Sequence, residues 1–201
     1  MSKVLIVVLV LLATAIGIHY KDPTFFATLK NKFFTEKKQS VTFAPPVTTL
    51  SAEDKKAIVT QLNKAFADEW LAYYQYWMGA KVVQGPLVEK VATELMEHAE
   101  EELEHAGMLS TRITQLDGKP LLNPKEWFTQ TTCGFMEPSD PSVTIILQQN
   151  IKGEECAVKA YKELINLFQA KDPGTGDMLK AILAVEEKHI RDLTELLNQI
   201  K

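Results

Sequence analysis

The sequence predicts an all-α domain, a bundle of four long helices in which one long crossover carrying a short helix joins the second to the third. Three observations lead there. Apolar residues recur at helical spacing in four stretches of the 201-residue chain. Each stretch is bounded by capping residues or by Pro and Gly breakers. No run alternates with the period of two that a half-buried strand needs. Helices of about 25 to 35 residues exceed the mean of ordinary globular folds and suit an extended antiparallel bundle.

The first twenty residues stand apart, because Val4 to Ile18 contains no charge and is dominated by Val, Leu and Ile. That marks residues 1–20 as a signal peptide or a membrane anchor, and two readings compete. The run is shorter than the roughly 20 residues that span a bilayer, and Lys3, the apolar stretch and Ala13-Thr14-Ala15 resemble a secretory signal with its cleavage site. Lys21, Lys30, Lys32, Lys37 and Lys38 follow it, a positive flank that would instead keep the downstream side cytoplasmic and leave residues 4–18 associated with the membrane. Residues 21–50, ending in Ala44-Pro45-Pro46, show no sustained period and read as a linker.

The bundle is expected over 51–201. Ser51 with Glu53 and Asp54 reads as the cap and acidic first turn of the first helix, whose seam runs through Ile58, Leu62, Ala65, Ala72, Tyr76 and Ala80 to an end near Gly85. Pro86 reads as the opening of the second helix, with its seam at Leu87, Val91, Leu95, Leu109, Ile113 and Leu116 and its stop at Asp117-Gly118. The crossover follows, over about 119–140, and Asn123-Pro124 caps a short helix within it. Asp140-Pro141 then reads as the start of the third helix, with a seam at Leu147, Ile151, Val158, Tyr161, Ile165 and Phe168. Asp172-Pro173-Gly174 ends it, and the fourth helix runs from about Thr175 through Leu179, Ile182, Leu193, Leu197 and Ile200.

A formal net charge of −4 and a pI near 5.6 argue against a nucleic-acid partner, since phosphate contacts need clustered Lys and Arg. The chemistry lies in the residues that interrupt the apolar seams. They are Glu69 in the first helix, His98, Glu102 and His105 in the second, Glu154 in the third, and Glu186 and His189 in the fourth. A carboxylate in a core is costly unless it is paired or metal-bound. Four of them carry a charge that two divalent ions would balance with neutral imidazoles. Glu102-x-x-His105 and Glu186-x-x-His189 each put a carboxylate and an imidazole within ~60° of each other on one helix face. Two such pairs with one glutamate from each of the other helices match the di-iron carboxylate pattern known in helical bundles. Mixed oxygen and nitrogen ligation suits iron, and less well manganese, over structural zinc. His98 has no acidic residue three positions before it and reads as a satisfied core or inner-surface histidine.

At these residues the chain resembles a known family. Glu69-Trp70-Leu71-Ala72-Tyr73-Tyr74-Gln75-Tyr76 is similar to the first helix of bacterioferritins, Glu100 to Pro120 to their second, Glu154 with Ala157 and Tyr161 to their third, and Ile182 to Leu193 to their fourth. The resemblance covers 51–201 and implies a ferritin-like bundle in which Glu102 and Glu186 bridge two irons, while Glu69 with His105 and Glu154 with His189 terminate them. Haem-binding bacterioferritins carry Met directly after the bridging Glu of the second helix, where this chain has Leu103, so no haem is expected. The fourth helix runs to Lys201 without the fifth helix of twenty-four-subunit cages. In these respects the sequence resembles Dps-like proteins, or thioferritins, which build a bacterioferritin-type site in each subunit of a twelve-subunit shell.

The resemblance implies a ferroxidase and iron-storage mini-ferritin, oxidising Fe²⁺ with peroxide or dioxygen and so limiting oxidative damage. Alternatives are a membrane-tethered bundle that binds iron without catalysis, and a rubrerythrin-like peroxidase, although Cys133 and Cys156 supply no Cys-x-x-Cys pair for a rubredoxin iron. Spacing alone reads those cysteines as two semi-buried thiols. The thioferritin resemblance implies a redox-active pair beside the metal, which requires Cα atoms within about 7 Å.

Overall fold

In a computed structural model, residues 50–200 are described. The expectations for 1–20, and all but Leu50 of the linker, lie outside them. Four long helices make the frame: α1 (Ala52–Val82), α2 (Val88–Gln115), α4 (Val143–Phe168) and α5 (Pro173–Ile200). Between α2 and α4 the crossover holds a 3₁₀ turn, Pro124–Glu126, running into the one-turn helix α3 (Trp127–Gln130). The helix α1 packs on α2 and α4 on α5, so the bundle is two helical hairpins joined by the crossover. Among the described residues there is no strand, only an isolated parallel bridge between Gln84 and Ser142. No described helix is long and apolar enough to cross a membrane.

Local chemistry sets most of the ends. Ser51 accepts the Asp54 backbone N–H at 3.0 Å, an N-cap with Glu53 and Asp54 in the positive first turn. Asn123 accepts the Lys125 N–H at 3.1 Å and Pro124 follows it, as expected. Two boundaries differ from the expectation. The second helix starts at Val88 rather than Pro86, because Leu87 takes a left-handed conformation (φ 56°) after Gly85 at φ 128°. The third starts at Val143 rather than Pro141, because the segment before it is used to tie the hairpins together. Gln84 N–H donates to the Pro141 carbonyl at 2.7 Å, and the Gln84 carbonyl accepts from Val143 N–H at 2.9 Å.

The core divides into two apolar clusters. One gathers Ile58, Leu62, Leu109, Ile113, Leu164, Leu179 and Ile182, and the other Leu95, Val91, Ile146, Leu147, Val143 and Leu193. Each such side chain contributes roughly 1.5–3 kcal/mol by leaving water. Toward the first cluster's end, Arg112 reaches across from α2. One guanidinium nitrogen, Nη2, donates to both Asp172 oxygens at 2.6 and 2.7 Å, and Nε donates to Thr175 at 2.8 Å, all three residues buried.

The crossover is pinned rather than merely draped. The Asp68 carboxylate of α1 accepts the Thr131 hydroxyl and the backbone N–H groups of Thr132 and Cys133, the latter two at 2.8 and 2.9 Å. Gln75 accepts the Met136 N–H at 2.9 Å, and Gln149 donates to the Met136 carbonyl. Those clamps fix the path of 131–136 across the bundle and bring Cys133 onto α4, where it forms a disulfide with Cys156 with Cα atoms 5.7 Å apart.

Candidate metal centre

Between the two apolar clusters lies a polar layer. Glu69, Glu102, His105, Glu154, Glu186 and His189 all face it, none more than 4% exposed. The helices place them by period: in α2 and α5 the i, i+3 spacing sets Glu and His one above the other, while α1 and α4 supply one carboxylate each.

The six residues form two triangles of carboxylate oxygens, each centred on one imidazole. His105 Nδ1 lies 3.4 Å from Glu69, 3.1 Å from Glu102 and 3.1 Å from Glu186. His189 Nδ1 lies 3.3 Å from Glu102, 3.4 Å from Glu154 and 3.3 Å from Glu186. Glu102 and Glu186 belong to both triangles, and each gives one oxygen to His105 and the other to His189. Within each four-residue set the candidate ligand atoms lie within 4.8 Å of one another. A pseudo-twofold axis relates the halves, exchanging α1 with α4 and α2 with α5.

Charge explains why this layer asks for a cation. Burial raises the Glu102 carboxyl well above its ordinary value, with repulsion from Glu186, Glu154 and Glu69 adding to it. Burial, then the charge on Glu186, pushes Glu154 up to about 7. Desolvation opposes charge on the imidazoles too, yet hydrogen bonds to the carboxylates outweigh it and hold His105 and His189 far above the usual histidine range. Without metal, imidazolium protons therefore supply the positive charge. Both Glu186 oxygens and one Glu102 oxygen make no hydrogen bond of good geometry even so. Orphaned buried acceptors aimed at a common point fit a metal ion, and the oxygen and nitrogen donor set fits iron or manganese.

A surrounding shell of residues was not anticipated from the sequence. Tyr76 on α1 donates its hydroxyl to Glu154 on α4, and Tyr161 on α4 donates to Glu69 on α1. Burial foremost, with repulsion from those carboxylates, keeps both phenols neutral. A signal existed: Glu69 and Glu154 are each followed by a tyrosine seven positions on, two turns along the same face. The far nitrogen of His189, Nε2, contacts Glu101 at 2.7 Å, an acceptor that aims Nδ1 into the centre. Desolvation would raise the Glu101 carboxyl, but this contact and Lys188 hold it below its ordinary value.

His98 is not the satisfied histidine its sequence context implies. It is fully buried, stacks on His189 with ring centroids 4.0 Å apart, and neither ring nitrogen has a hydrogen-bond partner. Desolvation, then the charge on His189, drives it down to about 2 and keeps it neutral.

The disulfide opens on the same layer. A cavity of about 40 Å³ is walled by Cys133, Gly134 and Met136 together with Glu69, Glu102, Glu154 and Glu186. That volume exceeds what one water needs, so a molecule as small as peroxide fits between Cys133 and the carboxylates. Asp68 also lines it, its carboxyl raised to about 6 by burial against the opposing hydrogen bonds from the crossover.

Comparison with known proteins agrees with this architecture. The model of the ferritin-like domain matches residues 59–201. The DNA protection during starvation protein of Pyrococcus furiosus is 32% identical over 146 residues, 72% of this chain and 78% of that one. The bacterioferritin of Streptomyces coelicolor is 30% identical over 145 residues, covering 72% and 81%. Among solved structures, the bacterioferritin-related protein of Bacteroides fragilis, a dodecameric thioferritin, superposes with a TM-score of 0.72 at 45% identity, covering 73% of this chain and 88% of that one. Dps from Thermosynechococcus elongatus, 22% identical with a TM-score of 0.68, shares the fold. By its helices, its crossover and the match over 59–201, this chain belongs to the ferritin-like family.

Proposed function

We propose that the chain is a ferroxidase of the iron-storing kind, taking Fe²⁺ as substrate at a site built within one subunit and limiting the damage that free Fe²⁺ and peroxide do together. The observation that carries the reading is the pair of triangles sharing Glu102 and Glu186. Two ions held by shared carboxylates sit close enough to give up their electrons together. Two Fe²⁺ reduce one hydrogen peroxide to two waters, consuming two protons, and become two Fe³⁺; dioxygen is the other oxidant of this class. The residues do the rest. Glu69 with His105 and Glu154 with His189 terminate the two positions, Tyr161 and Tyr76 orient the terminal carboxylates, and the apolar clusters keep water out.

Cys133 walls the same cavity and is bonded to Cys156, and the pair in its reduced form gives the reading a source of electrons. Oxidation of their dithiol to the disulfide releases two electrons and two protons, enough to return two Fe³⁺ to Fe²⁺. The relatives support a homo-oligomer, and twelve subunits is the assembly proposed. Exposed Leu122 and Phe128 on the crossover are the kind of apolar surface that such an assembly covers. Leu103 offers no sulfur to a haem iron, and no haem enters the reading.

Anaerobic Fe²⁺ titration followed by peroxide tests the site. Wild type should bind two Fe²⁺ per chain at this central site and yield ferric product at once, and Glu102→Ala should lose binding at both central positions because it removes a bridge. A Glu102→Ala protein that binds two irons and oxidises them at the native rate refutes the assignment. Peroxide turnover unchanged in Cys133→Ser refutes the redox role of the pair, and a monomeric mass for the fragment lacking 1–44 refutes the shell.

A further inference from the structure

The pseudo-twofold axis exposes one place where the halves of the bundle do not match. The offset that carries Glu102 onto Glu186 and His105 onto His189 carries Glu94 onto Met178 and His98 onto Ile182, and takes Asp192 back onto Met108. On that matching side Met178 and Ile182 are fully buried in the first apolar cluster and Met108 packs against it. The bundle therefore packs well with hydrophobes at these positions. On the other side it spends them on a buried imidazole and two carboxylates, although an unpaired polar group in a core destabilises it.

These polar residues converge. His98 Nε2 lies 3.3 Å from Glu94 and 3.9 Å from Asp192, and the three ligand atoms all lie within 4.8 Å of one another. Ligand bonds of about 2.0–2.2 Å put neighbouring donors at about this spacing. The His98 side chain is fully buried and its ring nitrogens are without hydrogen bonds. Glu94 and Asp192 are 25% and 31% exposed, which leaves the remaining coordination positions open to water. Lys188 lies 3.3 Å from Asp192 and 3.4 Å from Glu101, a single cation shared by two carboxylates. An entering ion competes with it for Asp192.

We propose that Glu94, His98 and Asp192 form a further divalent-cation site, for Fe²⁺ in use, on the α2–α5 face one helical turn from the di-metal layer. Its place is that of a station between surface and centre. The His98 ring stacks on His189, and Glu101 links the two, contacting His189 Nε2 while sharing Lys188 with Asp192.

Zinc, which is redox-inert, tests this on the full-length protein. Crystals grown with a few equivalents of Zn²⁺ should show an anomalous peak enclosed by Glu94, His98 and Asp192, separate from those in the central layer. Two variants remove it. Asp192→Asn is the mild one, expected to weaken that site at least about tenfold, the order lost with a supporting group at a metal site. Glu94→Met with His98→Ile and Asp192→Met copies the apolar half of the bundle and is expected to fold. The triple variant should bind one zinc per chain fewer than wild type by calorimetry, Asp192→Asn should hold that zinc at least about tenfold more weakly, and both should keep the central peaks. No peak at the triad in wild type, or equal stoichiometry in all three proteins, overturns the proposal. Because the peaks are read by position, failure of the central pair and failure of this site are seen separately.

Discussion

Removing the Cys133–Cys156 bridge is expected to lower the stability of the metal-free protein by about 3.4 kcal/mol. The two cysteines are 23 residues apart in sequence, and closing a loop of that length removes about 11.4 cal/mol/K from the unfolded chain, about 3.4 kcal/mol at 25 °C. The native state should return little of it, because Asp68, Gln75 and Gln149 hold 131–136 in place without the bridge. For a domain of about 150 residues the loss corresponds to a fall in Tm of about 7–14 °C. The assay is thermal unfolding at one protein concentration with metal chelated, since ligand and assembly both shift Tm. Wild type under reductant and Cys133→Ser should coincide, and reductant should leave Cys133→Ser unmoved. A shift under about 2 °C for both would mean that the clamps order this segment in the unfolded ensemble as well, and the loop argument would fail.

Tyr161→Phe should weaken metal binding about 10–100-fold while leaving the helices intact, because it frees the terminal carboxylate Glu69; wild-type affinity in a metal titration would show that the hydroxyl does not orient its ligand. Metal uptake near neutral pH should release protons, since His105 and His189 sit above the usual range and must deprotonate to ligate, so affinity rises with pH; calorimetry in buffers of different ionisation enthalpy that finds no release contradicts the proton-held apo site. Asp172→Asn should cost about 3 kcal/mol or more by leaving Arg112 buried without its partner. The Asp172 carboxyl is depressed, its hydrogen bonds from Thr175 and Arg112 outweighing desolvation, so the pair's contribution is full above the ordinary carboxylate range and lost as pH falls through the depressed value. The difference from wild type should therefore close below about pH 4, and a gap constant down to strong acid would refute it.

What was legible in the sequence was whatever repeats with the helix. Glu102-x-x-His105 and Glu186-x-x-His189 sit on one face by arithmetic, and Glu69 and Glu154 stand out as the carboxylates on otherwise uncharged seams. Tyr76 and Tyr161 stayed hidden for the opposite reason: a phenol ring fits a seam as well as leucine does, and only the partner across the bundle reveals its hydroxyl. Pro86 and Pro141 satisfy the rule for a first helical residue, yet each helix starts two residues later, the second because Leu87 turns left-handed and the third because the Gln84 bridge uses the backbone of Pro141 and Val143. Burial of His98 could be read from the seam, but not its neighbours, since Asp192 arrives beside it from α5.

The crosswise tyrosines have a consequence for how the molecule comes together. Each hairpin carries half of every bond that crosses the centre: the carboxylate of one is held by the phenol of the other, in both directions. A single hairpin, even fully helical, would own no complete position and no oriented ligand. Affinity for metal is thus a reporter of docking between hairpins rather than of helix content, and an ion arriving early in folding would act as a rivet, selecting among all collapsed arrangements the one register in which both halves meet.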